Sequence, residues 1–389
     1  MIVKRALIVT HYRYPNGDAG SVRQHSFAKI YKELGYDVIV VGLGENTDFK
    51  VLTYDGVKYI SFRNKKSDFI TKVKNHLHFK KKLKNFLINI EDPDLIQAVN
   101  INRSIFAFLK KYSKKNGTKL VHDSVEWYSP EEFKLGRFSR AYKRNNNLNT
   151  KLLNKQFSVI SISSFLEKHF SSKGINTVRI PVIMDIDSIT CEKNTDSQKC
   201  VFLYAGSPGK KDYLAEIINA FALLSREKLE KFQLRLIGIK KEQLVTLCGA
   251  DAKDVEYIGN SLVCLGRLPR EDVLENLSKA DFTVLLRSET QRYAKAGFPT
   301  KVVESLATGT PVVTNLTSDL GMYLADGINA VISKDDSVNS FSVALEKALN
   351  LSFEEKKAMF VNSRKTAEEN FDYKIYKEKI LELLDRDDK

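Results

Sequence analysis

The stretch of sequence with the clearest chemical pattern is RYAKAGFPTKVVESLATGTPVV, residues 292–313. Its residue types predict a loop followed by a helix that begins near Thr300. A helix start presents unpaired N–H groups and about half a positive charge, which suits a diphosphate. Glu304, one turn inside the helix, is able to accept hydrogen bonds from two ribose hydroxyls. The candidate ligands of a nucleoside diphosphate here are Gly297, Phe298, Pro299, Thr300, Lys301 and Glu304.

Further cationic residues stand where predicted strands end. Lys210 and Lys211 follow the apolar run VFLYAG (201–206), and Arg267 follows another apolar run. Positive side chains at such places stabilise the negative charge that grows on a departing phosphate. No Asp-x-Asp pair stands where it would hold a divalent metal against phosphate, so we predict a site with neither metal nor other cofactor. The simpler interpretation of these cationic residues is a solvated surface.

The elements that must position these residues alternate between strands and helices. In the first half, VKRALIVT (3–10) and YDVIVVGLG (36–44) are predicted strands on either side of a predicted helix at 21–34. Such a unit predicts a parallel sheet with a right-handed crossover. The other predicted strands of this half are DLIQAV (94–99), KLVHDS (119–124) and SVISIS (158–163).

The same pattern restarts after the polar residues 188–200. The predicted strands of the second half are 201–206, 232–238, 255–259, 281–287 and 311–315, and its predicted helices are 212–225, 270–279 and 301–309. Two such halves predict two Rossmann-like domains, which bind ligands at the carboxyl ends of their strands. We place the domains at 1–187 and 188–369, followed by a final helix at 370–389.

Taken together, these segments resemble GT-B glycosyltransferases, especially glycosyltransferase family 4. The resemblance implies an α/β fold with two Rossmann-like domains whose parallel sheets face each other across a cleft. It also implies a nucleotide-sugar donor, by default a UDP-sugar, held by the C-terminal domain. The segments that carry the resemblance are HYRYPNGDAGSVRQ (11–24), VHDSVEW (121–127), YAGSPGKKDYLAEIINAF (204–221), LGRLPREDVLENLSKADFTVLLR (265–287) and RYAKAGFPTKVVESLATGTPVV (292–313).

The resemblance also implies roles for single residues. Gly20 belongs to the N-terminal glycine-rich loop that faces the donor diphosphate. His122 would face the transferred sugar, Glu126 would serve the acceptor, and Lys211 would act on the diphosphate during a transfer that retains the anomeric configuration. The simpler interpretations are that His122 is a strand-end histidine with satisfied hydrogen bonds, and that Glu126 caps the following turn.

One position departs from the family pattern. The family has two glutamates eight positions apart; Glu304 matches the second, and Ala296 stands at the position of the first, which contacts the donor. The departure leaves open the alternative of a non-catalytic GT-B partner that scaffolds an active transferase. A GT-B-fold sugar-nucleotide epimerase is a further alternative, although the extra carboxylates that it needs are not visible in the sequence.

The net charge of +14 is concentrated in two segments of the first half. Residues 63–84 hold nine Lys or Arg and one Asp, and residues 134–155 hold seven Lys or Arg and no acidic residue. Residues 69–90 place apolar residues at helical spacing, which indicates either a core-facing stripe or a surface that binds an anionic membrane. The membrane hypothesis suits a glycan acceptor on a polyprenyl carrier in cell-surface polysaccharide synthesis. No pattern indicates nucleic-acid binding.

The composition is that of an ordinary globular protein, with 43% hydrophobic residues. The N-terminus lacks the long apolar core and cleavage site of a signal peptide, so we expect a cytoplasmic protein, with peripheral attachment to the inner face of the plasma membrane as the extension of the membrane hypothesis. The four cysteines form no CxxC pair, which argues against a zinc site or a disulfide framework.

Overall fold

Two sheets, one from each half of the chain, confirm the predicted α/β class. The computed structural model describes residues 4–15, 17, 19–45, 47, 49–63, 69–191, 199–206 and 211–385. Its contacts divide the chain into two units. The first comprises Met1–Trp127, Arg137–Asp185 and Tyr373–Lys389, and the second comprises Tyr128–Gly136 and Ile186–Asp372. The predicted boundaries differ, since they assign residues 128–136 to the N-terminal domain.

The first unit is built on eight strands in the order β3-β4-β2-β1-β5-β6-β7-β8. All neighbours are parallel except β3 and β4, which pair antiparallel. The strands are β1 (Arg5–Arg13), β2 (Asp37–Gly44), β3 (Leu52–Tyr54), β4 (Val57–Arg63), β5 (Leu95–Val99), β6 (Lys119–Ser124), β7 (Ser158–Ser161) and β8 (Thr177–Arg179).

Most helices of the first unit contact this sheet, and the chain returns to it at its C-terminal end. Tyr373, Tyr376, Ile380 and Leu383 lie in the same buried cluster as Ile8 of β1. The helices are α1 (Ala19–Glu33), α2 (Phe69–Ile88), α3 (Arg103–Asn116), α4 (Arg140–Asn147), α5 (Ser164–Ser171) and α14 (Lys377–Asp385).

The second unit is built on six strands, all parallel, in the order β11-β10-β9-β12-β13-β14. The strands are β9 (Cys200–Ala205), β10 (Phe232–Ile237), β11 (Leu262–Gly266), β12 (Phe282–Leu285), β13 (Val312–Asn315) and β14 (Ala330–Ser333). The helices are α6 (Leu214–Ala222), α7 (Arg226–Leu229), α8 (Ala252–Ile258), α9 (Arg270–Lys279), α10 (Arg292–Ala296), α11 (Thr300–Ala307), α12 (Val338–Asn350) and α13 (Phe353–Phe371).

One predicted strand is wrong. Residues 255–259 belong mostly to α8, and the strand lies a few residues later, at β11. The side chain of Asp251 accepts a hydrogen bond from the backbone of Lys253 and so caps the helix start. Val255 and Ile258, three positions apart, are the two buried residues of the helix. A short apolar run fits both a strand and a helix, and here the cap decides for the helix.

The apolar stripe predicted in residues 69–90 faces the core wherever its side chains are described. Phe79, Leu83 and Phe86 of α2 are at most 5% exposed, while Lys81 and Lys84 face solvent. The core-facing interpretation therefore holds for this part of α2, and the membrane-facing one does not. No helix among the described residues is long and apolar enough to span a bilayer.

Candidate functional site

Helix α11 begins at Thr300, as the sequence predicts. Val302, Val303 and Leu306 are buried against the second sheet, whereas Lys301 and Glu304 keep partial access to solvent. The spacing of these residues separates a packed face of the helix from a partly open one. The two charged residues, Lys301 and Glu304, both lie on the partly open face.

Three of the predicted donor residues have buried side chains. Ala296 is fully buried, Pro299 is buried, and Phe298 is 6% exposed. The ring of Phe298 packs 5.6 Å from that of Tyr323 and 5.8 Å from that of Phe371, measured between centroids. These side chains hold the start of α11 in place, so a ligand would meet the backbone of this stretch rather than its apolar side chains.

Lys301 is held by residues from a distant part of the chain. Its ammonium group donates to a carboxylate oxygen of Asp212 and, over 2.9 Å, to the hydroxyl of Tyr204. The nitrogen also lies 4.1 Å from the centre of the Tyr204 ring. A Cβ atom at Gly206 would lie 2.4 Å from Cε of Lys301, so the glycine leaves room for this side chain. The amine is therefore anchored at the carboxyl end of β9.

A second cation completes this cluster. Arg287, which follows β12, donates from Nε to Oδ1 of Asp212 over 3.0 Å, and its Nη2 atom lies 3.0 Å from the same oxygen. Burial alone would raise the pKa of Asp212, but the charges of Lys301 and Arg287 outweigh it and hold the pKa well below its usual range. Burial lowers the pKa of Lys301 despite the nearby carboxylate, and burial raises that of Tyr204. The single negative charge of Asp212 thus faces two positive charges, those of Lys301 and Arg287.

Glu304, the predicted ribose ligand, has a partner of its own. Its carboxylate accepts a hydrogen bond from Arg270, at the start of α9, in an ion pair whose side chains are 39% exposed for Arg270 and 15% for Glu304. Arg267, which the sequence predicts as a cation for the departing phosphate, is exposed. It forms no ion pair within the described part of the chain. A ribose at Glu304 would share the carboxylate with Arg270.

Lys211 lies against the segment Tyr128–Gly136, which belongs to the second unit. Its amine is 3.5 Å from a carboxylate oxygen of Glu132 and 4.8 Å from the centre of the Tyr128 ring. The hydroxyl of Tyr293 donates to the carbonyl of Lys211 over 3.0 Å. Lys210, its predicted alternative, lies outside the described residues.

The same segment is fixed to the start of helix α10. The backbone N–H of Tyr293 donates to the hydroxyl of Ser129 over 3.2 Å, and Arg292 donates to the carbonyl of Tyr128. The backbone N–H of Ser129 donates in turn to the carboxylate of Glu132 over 2.6 Å, which orders the turn. Residues 128–136 therefore contact the first residues of α10, the helix that ends at Ala296.

In the first unit, Gly20 lies in the first turn of α1. A Cβ atom at this position would lie 2.5 Å from a ring carbon of Tyr12. The flat face of that ring explains why glycine is needed here, independently of any ligand. The predicted role of Gly20 at the donor diphosphate stays a prediction.

His122 stands in β6 with 2% exposure. Its ring packs edge-on against Phe106, and its Nδ1 atom has no hydrogen-bond partner among the described residues. Burial lowers the pKa of His122 to about 4, and the smaller opposing effect of Asp123 does not restore it. The imidazole is therefore neutral near pH 7, which suits hydrogen bonding and excludes a resting positive charge.

Asp123 and Glu126 follow His122 but differ in what they contact. Asp123 is buried and accepts hydrogen bonds from Arg23 over 2.9 Å and from Gln24 over 2.7 Å. These two partners satisfy the buried carboxylate of Asp123. Glu126 keeps partial exposure, and its backbone carbonyl accepts from the side chains of Asn145 and Asn149.

Sequence reasoning missed Asp212, Arg287, Arg270 and Glu132. Arg287 and Asp212 carried a signal, since each follows a buried strand at its carboxyl end, where parallel sheets bind ligands. Glu132 carried none, because its partner Lys211 is 79 positions away. No group of three or more His, Cys, Asp or Glu with metal-site geometry occurs in the ranges that the structure describes.

Comparisons with known proteins identify a family match in the second half of the chain. Residues 185–366 match the family model of the glycosyl transferases group 1, a range that includes α11 and the Asp212 cluster. A search of curated proteins found no match.

Solved structures similar to the chain show the fold. Sucrose-phosphate synthase from Thermosynechococcus elongatus aligns with a TM-score of 0.73 at 13% identity, over 98% of each chain. HepE of Anabaena, in complex with UDP and glucose, aligns with a TM-score of 0.69 at 16% identity, over 98% of this chain and 99% of that one. WaaG, a glycosyltransferase involved in lipopolysaccharide biosynthesis, aligns with a TM-score of 0.65 at 16% identity, over 93% and 95%. The protein is thus a glycosyltransferase with the GT-B fold, and its residues 185–366 match the glycosyl transferases group 1.

Proposed function

We propose that this glycosyltransferase uses a UDP-sugar, without a metal ion, and transfers the sugar with retention to a glycan or lipid-linked glycan in cell-surface polysaccharide synthesis. The observation that carries the proposal is the open face of α11, where Lys301 and Glu304 lie within the group 1 domain. The UDP and glucose in the HepE structure and the lipopolysaccharide pathway of WaaG support the choice of donor and acceptor class.

In the proposed reaction, the bond between the anomeric carbon and the diphosphate breaks, and a bond to an acceptor oxygen forms. UDP leaves with the bonding electrons, and the acceptor hydroxyl loses its proton. The growing charge on UDP would be met by the N–H groups at the start of α11 and by the ammonium of Lys301. Because side chains supply this positive charge, we propose that no divalent metal is needed. The roles of His122, Glu126 and Gly20 are part of the proposal.

The uridine ribose is proposed to lie at Glu304. A carboxylate with 15% exposure that accepts two hydroxyl groups gains charge-assisted hydrogen bonds, worth about 1.5–3 kcal/mol in total after the cost of sharing with Arg270. Loss of this carboxylate should therefore weaken UDP binding by about 10- to 100-fold.

Calorimetric titration tests the donor site. The purified full-length protein is titrated with UDP, GDP, CMP and TDP in the presence of EDTA, and we expect binding of UDP in the micromolar range. Glu304→Gln should weaken it as stated. The matched control is Glu346→Gln, which removes a carboxylate from the exposed Lys228 pair of the same unit and should leave UDP affinity unchanged. Failure of all four nucleotides to bind would refute the donor site.

Product analysis tests the reaction itself. Incubation with donor alone should give slow hydrolysis or no product, whereas conversion to a second sugar nucleotide would indicate an epimerase. With a lipid-linked glycan acceptor, the anomeric proton coupling of the product reports retention or inversion. Tight UDP binding without product from any acceptor would favour the non-catalytic partner, for which the fully buried Ala296 at the usual glutamate position is the structural argument.

A further inference from the structure

The second basic segment, residues 134–155, combines its charge with apolar side chains in solvent. Phe138 is 79% exposed, and Leu135, three residues earlier in sequence, is 70% exposed. Phe138 is the most exposed of the large apolar side chains that the structure describes. Exposed apolar side chains rimmed by polar residues are typical of interaction surfaces. Residues 134–155 contain no acidic residue, so their positive charge is not neutralised within the segment.

Helix α4, which begins two residues after Phe138, carries the charge. Its residues Arg140, Lys143 and Arg144 are exposed, as is Arg137 before it, and the helix has no buried residue. The amine of Lys143 lies 5.4 Å from the centre of the Phe138 ring. One exposed aromatic ring thus lies near the cation of Lys143 and just before a helix that has no buried residue.

We propose that Phe138 and the basic surface of α4 (Arg137, Arg140, Lys143 and Arg144) bind an anionic phospholipid membrane, with the ring inserted among the headgroups. Cations near an anionic leaflet and an apolar ring at its boundary each favour this partner. A nucleic acid would satisfy the charges but offers no apolar interior for the Phe138 ring. The inference deepens the proposed function, since it rests on the proposal that the acceptor is carried by a membrane lipid.

Vesicle co-sedimentation tests the surface with the full-length protein. One set of vesicles contains phosphatidylcholine alone, and the other contains equal parts of phosphatidylcholine and phosphatidylglycerol. We expect binding to the anionic vesicles only, with release at high salt because the Debye length shrinks.

Two variants and one control define which residues bind. The triple variant Arg137→Gln, Lys143→Gln, Arg144→Gln should lower the partition coefficient about 100-fold. Phe138→Ser should lower it about tenfold. The control Lys240→Gln, Lys253→Gln, Lys357→Gln removes the same charge from exposed positions of the second unit and should change binding by less than about twofold.

Two outcomes would overturn the inference: variants that bind anionic vesicles as well as the unaltered protein, or a protein that binds duplex RNA or DNA and ignores the vesicles. Circular dichroism confirms that each variant is folded. UDP titration of the same variants separates this inference from the donor proposal, since none of the altered residues belongs to the donor site. Vesicle binding with no UDP binding would refute the donor site alone.

Discussion

Among the charged residues of the candidate site in the second unit, Asp212 is the one whose substitution should destabilise that unit most. Its carboxylate is 7% exposed and holds Lys301, which is 25% exposed, and Arg287, which is 14% exposed. Asp212→Asn leaves two cations facing a neutral amide. Removing one partner of a buried ion pair costs about 3–5 kcal/mol, and we expect about 3 kcal/mol here because Lys301 keeps some contact with water.

Hydrogen exchange is the suitable assay, because a chain of two units need not unfold in one step. A loss of about 3 kcal/mol corresponds to amide exchange about 100-fold faster in β9 and β12, provided that these amides exchange through unfolding of the unit. The control is Asp326→Asn, whose pair with Lys347 is 45% exposed on the aspartate side and 47% on the lysine side. It should cost below about 1 kcal/mol. Equal effects of the two substitutions would refute the role given to Asp212.

The pH dependence of the stability difference between the unaltered protein and Asp212→Asn provides a second check. The pKa of Asp212 is lower in the folded protein than its ordinary value of 3.8, so its contribution is complete above that value and is lost as the pH falls through the folded pKa. The difference between the unaltered protein and Asp212→Asn should therefore be constant from neutral pH to about pH 5, and should shrink below about pH 4. A difference that instead grows on acidification would contradict the assigned charge states.

Three further predictions follow from single contacts. His122, with a pKa lowered to about 4, should remain neutral down to about pH 5 by NMR, and its burial should remove about 3 kcal/mol of stability as the pH falls from 6.5 towards 4, a loss that His122→Gln abolishes. Glu132→Gln should tighten UDP binding about threefold in calorimetry, because it removes a carboxylate that competes for Lys211; unchanged or weaker binding would contradict this. Gly20→Ala should destabilise the first unit by about 1–3 kcal/mol in urea unfolding, because its Cβ would overlap the Tyr12 ring.

Most strands that lie inside the sheets were predictable, because parallel strands buried on both faces read as continuous apolar runs. The edge hairpin of β3 and β4 was missed, although Asp55-Gly56 with positive φ at both residues is a typical hairpin turn. Its strands alternate apolar and polar residues over a short length, and β3 is mostly exposed. Strands at a sheet edge therefore leave a weaker signal than those at its centre.

The candidate site was predictable in its elements and not in its pairings. The glycine, proline and charge pattern of residues 297–304 located the start of α11 from sequence alone. Lys301, however, meets Asp212 and Tyr204 from 89 and 97 positions away. Sequence spacing orders residues along one helix or strand, whereas these contacts depend on how neighbouring strand ends meet at one sheet edge.

These pairings change how the donor site should work. Two of the cations predicted from the sequence are paired with carboxylates in the structure. Lys301 pairs with Asp212, and Lys211 pairs with Glu132. A diphosphate must then share or replace a carboxylate, so it gains less than it would from unpaired cations. Asp212 holds two cations, Lys301 and Arg287, whereas the nearest oxygen of Glu132 lies 3.5 Å from the amine of Lys211. A diphosphate should therefore displace Glu132 from Lys211 more easily than it displaces Asp212 from Lys301. Lys211 is then the cation most available to an incoming diphosphate.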